Sequence, residues 1–208
     1  MKTIKMVAAV LVAAAVSFNA VADKGKKAAP ASINVDTQKS TLGWYGKKFT
    51  GDHNGTINIT KGSLQVDKAK LVGGSFDIDM NSIVCKDVTD ANYNAKLVNH
   101  LKSDDFFNAA QFPVSTFKIT KVAPIAGAKA GEPNTTITGD LTIRGVANPV
   151  SFPATVGLQG GNVTASAKIV VDRSKYNVKY GSKSFFANIG DKVIYDEFEM
   201  TVNLVAGK

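Results

Sequence analysis

Ile137-Thr138-Gly139-Asp140-Leu141-Thr142-Ile143-Arg144-Gly145-Val146-Ala147-Asn148-Pro149-Val150-Ser151-Phe152-Pro153-Ala154-Thr155-Val156-Gly157-Leu158 is the stretch that decides the fold class. Ile137, Leu141 and Ile143 alternate with Thr138, Asp140, Thr142 and Arg144. After a turn-prone cluster, Gly145 to Pro149, the same period resumes in Val150, Phe152, Ala154, Val156 and Leu158. A period of two puts one set of side chains on a dry face and the other in water, which is a strand with one buried side. Two such runs joined by a glycine- and proline-containing turn make a hairpin.

The same period extends outward in both directions. It recurs in Leu42 and Trp44, in Ile57 and Ile59, in Phe76, Ile78 and Met80, and in Phe117 and Ile119. Downstream it recurs in Val163 to Val171 and in Phe198, Met200, Val202 and Leu204. That gives about eight half-buried antiparallel strands and an all-β chain. Gly51-Asp52-His53-Asn54-Gly55, Lys61-Gly62-Ser63 and Gly160-Gly161-Asn162 read as turns, and Gly73-Gly74 inside a strand pattern reads as a bulge. One stretch departs from the period. Between Asn92 and Lys102, Tyr93, Leu97 and Leu101 fall at i, i+4 and i+8, which predicts one short amphipathic helix capped by Thr89 or Asp90. Alternation alone fits two architectures equally: a barrel closed around an apolar pocket, and a two-sheet sandwich with a solid core.

The ends read differently. Lys2 and Lys5 precede the apolar run Met6 to Val16, and Ala20-Val21-Ala22 follows with a small-x-small pattern. Residues 1–22 are expected to be a cleaved export leader, and 23–32 a mobile, Lys- and Ala-rich tail ahead of the folded domain at 33–205. Such a leader implies a periplasmic protein. The chain of 208 residues carries 25 Lys+Arg and 17 Asp+Glu, a net charge of +8. Arg144 and Arg173 are its only arginines, which argues against nucleic-acid recognition and leaves room for transient contact with an anionic membrane surface. The lone cysteine, Cys85, excludes an intramolecular disulfide and is expected to be a buried free thiol.

Catalytic signals are weak. His53 sits in a Gly/Asn-rich segment and reads as solvated; His100 sits at the helix end on a different side from Leu97. No Gly-x-Ser-x-Gly elbow occurs, and neither a zinc-type Cys/His cluster nor a complete calcium loop is present. Asp77/Asp79 and Glu197/Glu199 lie on wet strand faces. Long apolar side chains crowd the dry face instead. The expected pocket wall is Trp44, Phe76, Ile78, Met80, Leu101, Phe106, Phe107, Phe117, Ile143, Phe198 and Met200. Arg144, Arg173, Tyr176, Lys179 and Lys183 are candidate donors to a polar head group.

Several segments resemble the YceI-like family. Ile33-Asn34-Val35-Asp36 with Ser40 to Trp44 is similar to its opening strand pair, and His100 to Phe107 with Phe112-Pro113 and Thr116-Phe117 to its most specific stretch. Gly139 to Val146 with Pro149-Val150, Asp172 to Tyr176 and Gly190 to Val193 follow the same family's pattern. The resemblance implies an extended, lipocalin-like antiparallel barrel holding an isoprenoid quinone, a polyprenyl lipid or a fatty amide. It implies carriage or sequestration by a monomer or homodimer, with no resident cofactor or metal and no catalysis. Two alternatives stay open: an enzyme acting on a lipid or quinone in the same pocket, with His100, Asp104 or Arg144 facing it, and a structural β-sandwich. The segment Val178 to Ala187 is longer and more basic than the family pattern, so head-group recognition is the least determined part.

Overall fold

The structure, a computed structural model, describes residues 28–207. The leader at 1–22 and the start of the tail lie outside the described residues. The elements are β1 (Ala31–Asn34), β2 (Thr41–Lys48), β3 (Gly51–Asp67), β4 (Lys70–Cys85), α1 (Ala91–Lys102), β5 (Val114–Pro124), β6 (Thr135–Ile143), β7 (Val146–Gln159), β8 (Asn162–Asp172) and β9 (Ile194–Ala206). Ala31 and Ser32, expected in the tail, pair with Val66 and Gln65 and open β1.

Strands β2 to β9 close into an eight-stranded antiparallel barrel. Each neighbours the next in sequence, and β9 returns to β2. The closing stave is shared. β2 pairs with the first part of β3, from Lys48–Gly51 to Gly43–Thr56, and β1 pairs with its last part, from Asn34–Ser63 to Ala31–Val66. Between them Asp36 turns the chain, its Oδ1 accepting from the amides of Gln38 and Lys39. Val35 bridges Ala206 on the other side, so the stave is sealed against β9 at both heights.

The opening hairpin forms with a shorter turn than expected. Ile143 pairs with Val146, so only Arg144 (φ 51°) and Gly145 (φ 73°) turn, both left-handed. That is the two-residue geometry matching strand twist; Val146 to Pro149 belong to β7. Likewise Gly51 to Gly55 are the start of β3, and the reversal occurs at Phe49-Thr50. Gly55 is needed for packing: an added Cβ there would strike the Val84 carbonyl and the Trp44 indole. Trp44 lies over this glycine and donates Nε1–H to Val84 O (3.1 Å) across β3. Lys61-Gly62-Ser63 runs on through β3 beside a register shift, and the chain turns at Lys68-Ala69. The bulge expected at Gly73-Gly74 is present, with Val72 left over between Gln65–Gly73 and Val66–Leu71.

Helix α1 begins at Ala91, where Asp90 accepts from Asn92 N and Tyr93 N, satisfying two of the free first-turn amides. It packs against β4. Leu97 and Leu101 face the barrel interior, whereas Tyr93, expected on that face, is 67% exposed.

Candidate functional site: an apolar bore with a basic aromatic mouth

The inward-pointing side chains leave a cavity of about 470 Å³ along the barrel axis. Every residue expected in the pocket wall lines it. On β9 the lining runs from Ile194 to Leu204. At about 3.3 Å per residue and a tilt of about 40°, that is a bore roughly 25 Å long. Ala154, Ala165 and Ala167 on β7 and β8 keep that part of the wall thin, and Phe76, Phe117 and Phe152 on β4, β5 and β7 form an aromatic group beside it, with ring centroids 6.2 and 5.8 Å apart. Gly139 is small because the Phe117 ring occupies the place of its Cβ. The buried Ser115 hydroxyl already donates to Met80 Sδ (3.0 Å).

The two ends differ. At the floor, Leu64, Leu71, Ile119, Ile137, Phe152 and Val156 pack with Val35, Val163 and Ala206 into one buried cluster. At the mouth the lining includes Lys47, Lys48, His53, Leu97, His100, Tyr180 and Tyr195. His100, at the helix end as expected, is half-buried among aromatic rings. Its ring stands edge-on to Phe106 (4.9 Å) and Tyr180 (4.7 Å), and Nε2 lies 2.9 Å from Asp105 Oδ2. His53 keeps some solvent access but is paired: Nδ1 lies 2.8 Å from Asp87 Oδ2. Burial works against the Asp87 charge, but bonds from the Asn54 amide, His53 and Cys85 hold its carboxyl down to about 2.

The head-group candidates separate into structural and surface residues. Arg173 does line the cavity but is only 4% exposed. It donates Nε to Tyr195 O (3.1 Å), Nη1 to Val178 O (3.0 Å) and Nη2 to Ile194 O (3.0 Å), with Asp196 Oδ1 at 3.3 Å. Burial pulls its pKa below the ordinary arginine value, against the opposing pull of Asp196 and Asp172. Arg144 lies outside the lining. It donates to the carbonyls of Asp104 (2.9 Å), Phe106 (2.6 Å) and Asn177 (3.4 Å) and pairs with the Asp104 carboxylate (2.9 Å). Arg144 answers loop carbonyls, and Arg173 answers one loop carbonyl and two at the start of β9. Tyr176 packs in the core with Ile143 and Val171, and burial raises its hydroxyl pKa. The Lys179 ammonium sits 4.9 Å over the Phe185 ring, and Lys183 is exposed; neither lines the cavity. Among the three side chains an enzyme would use, only His100 reaches the cavity, and Asp104 is 82% exposed.

Sequence reasoning missed Lys47, Lys48, His53 and Tyr180 at the mouth, and placed His100 there only under the enzyme alternative. Lys48 continues the inward set Trp44, Gly46, and that signal was readable. His53 was hidden by the glycines that flank it, and Tyr180 sits in a segment without a period.

An eight-stranded antiparallel barrel with a lengthwise apolar bore is a lipocalin-like binding scaffold. The chain belongs to the family of the YceI-like domain, whose pattern it matches over residues 33–206. A UPF0312 protein of Shewanella denitrificans is 38% identical over 104 residues, 50% of this chain and 49% of that one. Protein YceI of Escherichia coli is 30% identical over 135 residues, 65% of this chain and 61% of that one. The matched stretch thus spans about half to three-fifths of these relatives' length. Among solved structures, Burkholderia cenocepacia BcnA superposes with a TM-score of 0.63 at 28% identity, covering 83% of this chain and 99% of that one. A polyisoprenoid binding domain from Saccharophagus degradans superposes at 0.57 and 16% identity, covering 86% and 98%.

Proposed function

We propose that this protein binds and carries, or sequesters, one long-chain amphiphile without transforming it: an isoprenoid quinone, a polyprenyl lipid or a fatty amide. The continuous apolar bore carries this reading. Its volume falls in the range of small-molecule sites, about 300–1,000 Å³. Spread over roughly 25 Å, it suits one extended chain better than a compact polycycle. Each buried methylene contributes about 0.8 kcal/mol, so a long chain needs few hydrogen bonds. The polar mouth suits a head group left near water. The polyisoprenoid-binding domain of the same fold supports the ligand class. The leader-like start supports a periplasmic setting.

Loading is proposed to occur at a membrane surface. Around the mouth, Phe49, Tyr180, Phe185, Phe186 and Tyr195 are 43–60% exposed, beside exposed Lys47, Lys48, Lys179 and Lys183. Aromatic rings and lysines together suit the interface of an anionic bilayer.

Organic extraction of the purified protein followed by mass spectrometry tests the reading. Recovery of a stoichiometric long-chain amphiphile is expected. Recovery of none, with Trp44 emission unmoved by added quinone or polyprenyl lipid, overturns it.

A further inference from the structure

Three different donor types meet beside the mouth, and the binding reading makes no use of them as a group. Cys85 ends β4 opposite Gly55, and Lys86 N then bonds Asn54 O (2.8 Å), which swings the chain back over β3. Asp87 arrives there with Oδ2 2.8 Å from His53 Nδ1 and Oδ1 3.3 Å from Cys85 Sγ. The imidazole nitrogen, the sulfur and a carboxylate oxygen all lie within 4.8 Å of one another. We infer that His53, Cys85 and Asp87 form a binding site for one transition-metal cation of the zinc type.

The chemistry of the donors selects the cation class. Imidazole and thiolate suit zinc-like ions, whereas calcium and magnesium take oxygen ligands. The spacing also fits. Zinc holds N, S and O donors at about 2.0–2.3 Å, which places tetrahedral donors roughly 3.4 Å apart. The Nδ1–Oδ2 and Sγ–Oδ1 separations of 2.8 and 3.3 Å involve different oxygens of the Asp87 carboxylate and lie near that value, and no donor pair is more than 4.8 Å apart, so modest side-chain rotation brings the three onto one ion. On binding, the Cys85 thiol passes its proton to water, and the imidazole keeps its proton on Nε2, leaving the Nδ1 lone pair to the metal. Three protein ligands leave a fourth position for water or, since His53 also lines the mouth, for a polar atom of a cavity ligand.

The surroundings are built to hold the donors. Asn54 N donates to Asp87 Oδ1 (2.8 Å). Asn94 of α1 donates Nδ2 to the carbonyls of both Cys85 (3.1 Å) and Val88 (2.8 Å), which ties the Lys86–Val88 loop to the helix. Such outer contacts orient ligands and tune their affinity. Exposure is graded, with Cys85 buried and the His53 and Asp87 side chains 29% and 27% exposed, so an ion can enter from solvent.

The full chain, reduced and stripped with a chelator, is titrated with Zn2+ by calorimetry and with Co2+ by absorbance. One equivalent is expected, with a near-ultraviolet thiolate-to-cobalt charge-transfer band that Cys85→Ala abolishes. His53→Gln and Asp87→Asn, both at solvent-accessible positions, are expected to weaken Zn2+ binding at least tenfold. Trp44 bonds the carbonyl next to Cys85, so its emission is expected to change with saturation. Absence of saturable binding overturns the site, as does binding without a thiolate band that all three variants retain. Either outcome leaves lipid recovery from the bore unaffected, so the two readings fail separately.

Discussion

The floor and the mouth of this barrel are made by different physics. The floor follows from strand alternation: Leu64, Ile137, Phe152 and Val163, from four different strands, are buried in one apolar cluster, with Ile137 and Phe152 paired across β6 and β7. Nothing polar is required there. The mouth is held by side chains that answer carbonyls of loops and of the first residues of β9. Arg173 gathers Tyr195, Val178 and Ile194, and Arg144 gathers the two ends of the Asp104–Phe106 segment. One end is stabilised by area removed from water, the other by charge-assisted hydrogen bonds. A ligand seated between them would meet a fixed apolar wall below and a pinned, polar collar above.

That contrast can be broken by substitution. Arg173→Ala is expected to have the largest effect, about 4 kcal/mol, because it strands three carbonyls and leaves the Asp196 carboxylate without its cation. Urea denaturation measures it, and Arg173→Lys, which lacks the planar fork, is expected to recover only part. Leu64→Ala comes next, at about 3 kcal/mol, from lost transfer energy and the cavity left at a 2% exposed position. Unlike the arginine change, it is expected to leave amide exchange at the mouth unaltered. Arg144→Ala is expected to cost about 2 kcal/mol and to speed hydrogen exchange at Phe106 to Ala109 more than anywhere in the strands.

The smallest change sharpens the comparison by its sign. The Tyr176 hydroxyl is buried with no hydrogen-bond partner among the described residues. Tyr176→Phe is therefore expected to be neutral or to stabilise by up to about 1 kcal/mol. Its pH dependence follows from burial, which raises the folded-state pKa above the ordinary 10.0. The neutral hydroxyl's contribution is complete below pH 10.0 and is lost as pH climbs through the folded value. The phenylalanine variant is expected to lose less stability in alkaline denaturation than the wild type.

How far the sequence could be read divides along the same line. Inward positions from Trp44 to Met200 carry a period of two, and a closed barrel turns that period directly into a list of wall residues. Glycines were read less well, because one residue type serves opposite ends. Gly145 turns the chain, but Gly55 and Gly139 lie within strands to admit the rings of Trp44 and Phe117. The collar was the hardest part. Arg144 and Arg173 look like free cations in a sequence, and only the tertiary arrangement reveals that carbonyls from distant parts of the chain consume their donors. His53, Cys85 and Asp87 are 34 residues apart from first to last, and no local spacing announces that they meet.

The claim at the centre of this account is that the bore is a ligand site and not a packing defect. Ala167 faces it and pairs with Ala154 and Val202, so Ala167→Phe fills the bore at mid-height without touching the collar. The decisive measurement is titration of wild type and Ala167→Phe with an isoprenoid quinone, followed by Trp44 emission, the signal of the sole tryptophan. Saturable quenching in the wild type, weakened at least tenfold in a variant that still unfolds cooperatively, is the predicted result. Equal binding by both proteins, or none by the wild type, would contradict it.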